Sequence, residues 1–181
     1  MEVLVYSFFF ILIIACSLGI LYVYQYNKLQ HSKTKIDQAE CLIDESLRNR
    51  FDLLVKMDKL ICTELDYKVL LKDLDKVKSE NISNFDLDRK LTENVNLVNQ
   101  VVIDHSVLGN NKNLKELLNE NKKVDEKLQA AKSYYNKYTS ELNDLVRTFP
   151  SNIVARMHGI SIKSFFDGKN MEDEIIDDFK L

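Results

Sequence analysis

The chain begins with an apolar run, after which apolar residues recur at helical spacing. From Val3 to Tyr24, 22 consecutive residues include no Asp, Glu, Lys, Arg or His. At about 1.5 Å of rise per residue, such a helix measures about 33 Å, enough to cross a hydrocarbon core of about 30 Å. The run therefore predicts a transmembrane anchor over residues 1–26, with the lipid bilayer as the partner of residues 3–24.

A cleaved signal peptide and a lipoprotein signal are the two alternatives for the apolar run. A cleaved signal peptide has a basic start and a shorter apolar stretch, whereas this chain has no Lys or Arg before the run. A lipoprotein signal would make Cys16 the acylated residue, but the apolar run continues for eight residues beyond it. We therefore favour an uncleaved, single-pass anchor.

Beyond the anchor, apolar residues recur every three or four positions in three segments, which is typical of amphipathic helices. The first segment has no stop signal before about Lys76, and turn-forming stretches at residues 79–84 and 109–113 precede the second and third. The first segment has Ile36, Ala39, Ile43, Leu47, Phe51, Leu54, Met57, Ile61 and Leu65, and the second has Leu87, Leu91, Val95, Val98 and Val102.

The third segment has a heptad pattern, which predicts a seam that packs against a neighbouring helix as in a coiled coil. Pro150 is predicted to end this helix, and a short helix should follow from Ile153 to His158. The fold class is thus all-α, with an N-terminal transmembrane helix that continues into an antiparallel bundle of three or four long helices over residues 27–166. The two heptad positions hold Leu114, Asn121, Leu128, Tyr135, Leu142 and Phe149, and Leu117, Val124, Ala131, Tyr138 and Leu145.

Charge changes this picture only at the C-terminus. Residues 167–181 contain six acids and two lysines, so their net charge of −4 exceeds the −3 of the whole chain. We interpret this segment as a solvated, flexible tail, with a partner-binding peptide as the alternative. The remainder lacks the concentrated basic patch that nucleic-acid binding requires, so nucleic acid is not an expected partner.

The sequence predicts no catalytic, cofactor-binding or metal-binding residue. His31, His105 and His158 are isolated from one another and from metal-ligand spacings, and the four glycines are too scattered for a phosphate-binding loop. Acids alternate with lysines along the predicted helices, as on solvated faces. The odd number of cysteines, Cys16, Cys41 and Cys62, argues against a disulfide framework. We therefore predict that the protein is not an enzyme and needs no cofactor.

Three blocks of residues, in order, resemble the bacterial LemA family. The chain departs from the family pattern at Val55, where a proline is usual, and between the second and third helices, where a His-Glu pair and a Tyr-Pro pair are missing. The first block is Tyr26-Asn27-Lys28-Leu29, and the second comprises Ile43-Asp44, Arg50 and Phe51-Asp52-Leu53-Leu54. The third comprises Tyr134-Tyr135-Asn136, Phe149-Pro150-Ser151-Asn152, Ala155, Gly159 and Phe165-Phe166.

The resemblance implies an antiparallel helical bundle beside a membrane, with no established enzymatic activity. It also implies a structural role for the motif residues: Tyr134, Tyr135 and Phe149 as large packing groups, Pro150 as a helix stop and Asn152 as a helix cap. We predict a membrane-anchored scaffold or adaptor with an unidentified protein partner. The alternative is an auxiliary subunit of a membrane-bound enzyme or protease complex whose active site lies on another chain. A homo-oligomer is also compatible with the seam.

The charges beside the apolar run predict how it is oriented in the cell membrane. Only the amino terminus and Glu2 precede the run, whereas Lys28, Lys33 and Lys35 follow it. Because Lys and Arg are retained on the cytoplasmic side, the bundle should be cytoplasmic. Acylation of Cys16 would place it on the opposite side.

Overall fold

In the computed structural model, residues 1–66, 71 and 82–167 are described, and every regular element in these ranges is an α-helix. The all-α fold class with a long apolar N-terminal helix is confirmed, and the three long helices among the described residues are α1, α2 and α4. The helices that the structure describes are α1 (Glu2–Leu65), α2 (Asn84–Asp104), α3 (Ser106–Asn110), α4 (Lys112–Arg147) and α5 (Ser151–Met157).

The described residues form two compact units. The first unit contains residues 1–37 and 135–165, and the second contains residues 38–134 and 166–167. Helices α1 and α4 contribute to both. The boundaries predicted from the sequence, at residues 26 and 166, concern the anchor and the tail and stay predictions.

The core of the first unit is apolar and is built from α1, α4 and α5. Leu29 and Ile36, the buried apolar residues that α1 contributes, are seven positions apart, so they share one face of the helix. Burying a side chain of this size contributes about 1.5–3 kcal/mol. The buried cluster consists of Leu29, Ile36, Leu142, Leu145, Val154 and Ala155.

In the second unit, α1, α2 and α4 pack side by side. Asn84 of α2 is level with Asp44 of α1, and Asp88 is level with Arg50, so these two helices run in the same direction. Helix α4 is antiparallel to α1, because its first residues line a cavity with residues 49–56 and its later residues line one with residues 38–49. The largest fully buried residues here are Ile43, Leu47, Leu54, Met57, Ile61, Leu91, Leu108, Leu114 and Leu128.

Helix α1 ends earlier than the sequence pattern predicts. The pattern favours a helix to about Lys76, but α1 ends at Leu65 and the next residue, Asp66, has a φ of 56°. A left-handed residue stops the helical hydrogen-bond pattern, and Asp adopts this conformation more readily than most residues. Residues 79–81 of the first predicted corner lie outside the described residues. Within its described part, the Ser83 hydroxyl accepts a hydrogen bond from the Asp86 N–H at 3.1 Å and caps α2.

The second predicted corner is confirmed. Helix α3 ends at Asn110 and α4 begins at Lys112, and between them Asn111 Oδ1 accepts a hydrogen bond from the Leu114 N–H at 3.2 Å. One further break was not predicted: His105, with φ −120° and ψ 99°, separates α2 from α3. A residue in extended conformation cannot continue a helix.

The heptad prediction holds along most of α4 but is wrong at its last position. Leu114, Leu128 and Leu142 are buried, whereas Phe149 is 74% exposed. Helix α4 ends at Arg147, so the helical register no longer determines where Phe149 points. The short helix after Pro150 is present and begins at Ser151, two residues before the predicted start.

The apolar run lies on α1. By length and composition this helix contains a window able to cross a membrane, and no residue of that window is buried. Fully exposed apolar side chains are stable in hydrocarbon rather than in water, so a bilayer would satisfy this part of the helix.

Candidate functional site

The strongest gathering of polar groups is a buried charge cluster in the second unit. Arg50 of α1 is 2% exposed, and its Nη1 lies 2.9 Å from Oδ1 of Asp88 and 3.4 Å from Oδ1 of Asp125. Its Nη2 donates to the Thr92 hydroxyl at 3.3 Å. The planar guanidinium thus joins all three long helices, which its several fixed donors suit well.

Asp88 is the acceptor at the centre of this cluster. Its second carboxylate oxygen pairs with the ammonium group of Lys132. That ammonium also lies 5.1 Å from the ring centroid of Phe166, which in turn lies 6.2 Å from that of Phe85. Two cations and two carboxylates therefore neutralise one another, and a cation–π contact adds to the stabilisation of Lys132.

A cavity of about 470 Å³ lies beside Arg50 and contains two unsatisfied polar atoms. Arg50 Nε and Asn121 Oδ1 are buried and make no hydrogen bond to any described residue. One is a donor and the other an acceptor, so the cavity could bind water or a small polar group such as an amide. Its lining is rich in carboxamides, with Asn96, Asn99, Asn119 and Gln129.

In the first unit, polar side chains fasten the chain after α5 to the helices. Asn143 of α4 donates to the Lys163 carbonyl at 2.8 Å and accepts from the Lys163 N–H, also at 2.8 Å. The Tyr135 hydroxyl donates to the Ser164 carbonyl at 3.2 Å. We call residues 160–165 the strap.

The end of α5 contacts the end of the apolar run. The hydroxyl of Tyr22 lies 2.7 Å from Nε2 of His158, and the ring of Tyr26 lies 4.6 Å from the His158 ring, measured between centroids. An aromatic cluster therefore joins α1 to the residue that follows α5.

Ser151, at the start of α5, hydrogen-bonds to carbonyl oxygens at and just beyond the end of α4. The buried hydroxyl of Ser151 lies 2.7 Å from the Leu145 carbonyl oxygen and 2.9 Å from that of Thr148. The final carbonyls of a helix have no partner within it, so this hydroxyl supplies a hydrogen bond that the helix cannot.

Metal binding has no support in the described parts of the chain. No group of three His, Cys, Asp or Glu side chains there could hold a metal ion. In the charge cluster, the carboxylates of Asp88 and Asp125 are paired with the cations of Arg50 and Lys132.

A comparison with known families identifies the family of the chain. The sequence model of the LemA family matches residues 40–177, which is more than half of the chain. The chain belongs to the LemA family. No curated protein sequence and no solved structure matches it.

The matched range contains the second and third LemA-like blocks, whereas the first block, residues 26–29, precedes it. The structure places most of these residues at helix contacts. Leu29 and Ile43 are buried in the cores, and Arg50 forms the charge cluster. At Val55, where the LemA pattern usually has proline, α1 continues without a break.

The remaining LemA motif residues occupy varied positions. Asp44 accepts a hydrogen bond from Asn84, Asp52 lines a cavity, and Gly159 has a φ of 63°. A left-handed φ suits glycine, which has no Cβ. Tyr134, Tyr135, Asn136, Phe165 and Phe166 are partly buried, whereas Asn27 is exposed.

Two predicted roles within the third LemA block are wrong. Phe149 does not pack in the core, because it follows the end of α4 and is exposed. Asn152 does not cap α5: it is the second residue of that helix, which begins at Ser151 after Pro150. Its Oδ1 is buried and makes no hydrogen bond to a described residue.

Sequence reasoning identified Arg50 but missed its partners Asp88, Asp125 and Lys132, and it missed Asn143. The sequence pattern gave only a weak indication that Asn143 is buried. It directly follows Leu142 of the heptad seam, and its 2% exposure results from the strap rather than from the helix pattern.

Proposed function

We propose that this LemA-family protein is a single-pass membrane scaffold without catalytic activity of its own, and that it binds a protein partner through its helical part. The observation that carries the proposal is the continuity of α1, which runs from the exposed apolar segment into the buried cores without a break. A continuous helix ties the folded units to the membrane without a flexible linker.

The polar groups of the protein support a structural role. In the charge cluster, each cation faces a carboxylate, so the charges stabilise helix packing and do not point together at an open reacting centre. Catalysis would require convergent polar groups with access to a substrate.

A groove between α1 and α4 of the second unit supports a helical partner. Its volume is about 480 Å³, and Leu42 in its wall is 50% exposed. Two alanines in its lining, Ala130 and Ala131, let another backbone approach closely, and Tyr134 also lines it. Such a groove fits the apolar face of an amphipathic helix. The same groove would also allow the alternative function, in which the protein is an auxiliary subunit that binds a membrane-bound enzyme or protease.

The membrane anchor is tested by charge substitution inside the span. Two changes, Ile11→Arg and Ile14→Arg, should raise the insertion cost by about 5–7 kcal/mol and release the protein from membranes at alkaline pH. Thr34→Arg, which adds the same charge outside the span, should leave it bound. Release of both variants, or of neither, contradicts the anchor.

Partner binding is tested separately in native membranes. A photo-crosslinking residue at position 42 should give one discrete adduct, which a second change at an exposed lining residue, Ala130→Arg, should abolish by filling the groove. The same crosslinker at exposed position 59 serves as the control, because Lys59 lies outside the groove. Equal adducts at both positions would contradict a groove-bound partner.

A further inference from the structure

Helix α5 and the turn before it expose three apolar side chains. Phe149, Ile153 and Met157 are 74%, 52% and 68% exposed. Ile153 and Met157 are four positions apart and therefore lie on the same face of α5. Val154 and Ala155, on another face, are buried in the core of the first unit. The short helix is thus apolar both toward the protein and away from it.

This exposed face lies at the end of the apolar run. The Tyr22–His158 hydrogen bond places the C-terminal end of α5 beside a residue of the run, and Phe149 lines a cavity with Gln25, Lys28, His31 and Ser32 of α1. From Tyr24 to Lys28 the helix rises about 6 Å. The interfacial layer on each side of a bilayer is about 5–8 Å thick. His158, which contacts Tyr22 and Tyr26, and the C-terminal end of α5 before it are therefore level with this layer.

The side chains around this face suit a lipid headgroup region. Tyr22, Tyr24 and Tyr26 mark the end of the run with aromatic rings, which are enriched at membrane interfaces. Arg147, the last residue of α4, and Arg156 of α5 are both exposed, and their positive charges suit anionic headgroups. The face thus combines apolar, aromatic and basic groups, as interfacial helices do.

We propose that Phe149 and the exposed face of α5 insert into the headgroup layer of the same bilayer that α1 crosses, so that the protein contacts the membrane at two places. This inference rests on the proposed membrane anchor. The occupant of the face is lipid, because the face is continuous with the end of the span and lies at the depth of the interface.

The chain contains no tryptophan, so a single introduced tryptophan reports one position. Ile153→Trp and Met157→Trp place it on the face. Thr34→Trp is the aqueous control, about 15 Å along α1 beyond Tyr24, and Ile13→Trp reports insertion of the span. All four positions are exposed, so the larger ring should be tolerated, and circular dichroism verifies the helix content of each variant.

The full-length variants are reconstituted in vesicles of phosphatidylcholine and phosphatidylglycerol, and fluorescence is quenched by brominated lipid or by acrylamide in water. Brominated lipid should quench Ile13→Trp, Ile153→Trp and Met157→Trp, and acrylamide should quench the last two several-fold less than Thr34→Trp. If Ile13→Trp responds to brominated lipid but the α5 variants behave like Thr34→Trp, lipid contact by α5 is wrong and the anchor stands. If Ile13→Trp does not respond, the anchor fails and the inference fails with it.

Discussion

The guanidinium of Arg50 and the carboxylate of Asp88 form an ion pair at 2.9 Å, and their side chains are 3% and 15% exposed. The pair links α1 to α2, which run in the same direction in the second unit. Water is largely excluded from it, so the charges depend on each other and on Asp125 and Lys132 for compensation.

Removing Arg50 should therefore be costly. Arg50→Ala leaves Asp88 and Asp125 without their common partner and should lower the free energy of unfolding by about 3–5 kcal/mol. The control is Arg89→Ala, which removes an ion pair to Asp86 whose side chains are 64% and 46% exposed. That change should cost about 0–1 kcal/mol. Denaturant unfolding of the detergent-solubilised protein measures both, and equal costs would contradict the importance of the buried pair.

The sequence identified Arg50 through the LemA-like block but could not identify its partners. The chain has 28 Asp and Glu residues, most of them interleaved with lysines, and nothing local distinguishes Asp88 or Asp125 from the others. Their role arises from the packing of α2 and α4 against α1, which periodicity does not specify.

Substitutions at buried and exposed positions of the predicted heptad seam should differ in their effect on stability. Leu128→Asp and Leu142→Asp place a carboxylate where the leucines are 0% and 1% exposed. Each should lower the free energy of unfolding by about 3–5 kcal/mol, because it removes a buried side chain and adds an unpaired charge. Phe149→Asp, at the same predicted heptad position, should change it by less than about 1 kcal/mol. Thermal unfolding followed by circular dichroism distinguishes them, and parental melting of both leucine variants would show that the seam is exposed.

Apolar spacing located α2, α4 and the part of α1 beyond the apolar run, because each of these buries residues that recur on one helix face. It did not locate the end of α1, where Asp66 takes a left-handed conformation instead of the extended helix that the pattern favours. It also misplaced Phe149, because periodicity has no meaning beyond the last helical residue, Arg147. Helix positions were thus predictable from the sequence, whereas helix ends depended on single backbone conformations.

The strap should depend on Asn143. Asn143→Ala removes both hydrogen bonds to Lys163 and leaves a backbone N–H and carbonyl to find new partners, which should cost about 1–3 kcal/mol. Hydrogen exchange at the Lys163 amide should accelerate. Asn143→Asp keeps the acceptor for that amide, so it should retain more protection than Asn143→Ala. Unchanged exchange in Asn143→Ala would mean that the strap is held by other contacts.

The orientation of the protein can be measured with a native cysteine. Cys41 is free and exposed, and it follows the lysines on which the cytoplasmic prediction rests. A membrane-impermeant thiol reagent should therefore label it only after cell lysis. In the Cys41→Ser variant, any remaining label reports reaction at Cys62, the other free cysteine beyond the apolar run. Labelling of Cys41 in intact cells would place the helical units outside.

The contact between Tyr22 and His158 limits rotation of the proposed anchor relative to α5. A single transmembrane helix can ordinarily spin about its long axis, because lipid surrounds it evenly. Here the Tyr22 hydroxyl is held at 2.7 Å from a residue that follows α5, whose Val154 and Ala155 are buried against α1 and α4. The azimuth of the span relative to α5 is therefore fixed. Ile11, Ala15 and Leu18, which share the Tyr22 side of the helix, face the direction of α5, and another transmembrane helix approaching from the far side would always meet the opposite face.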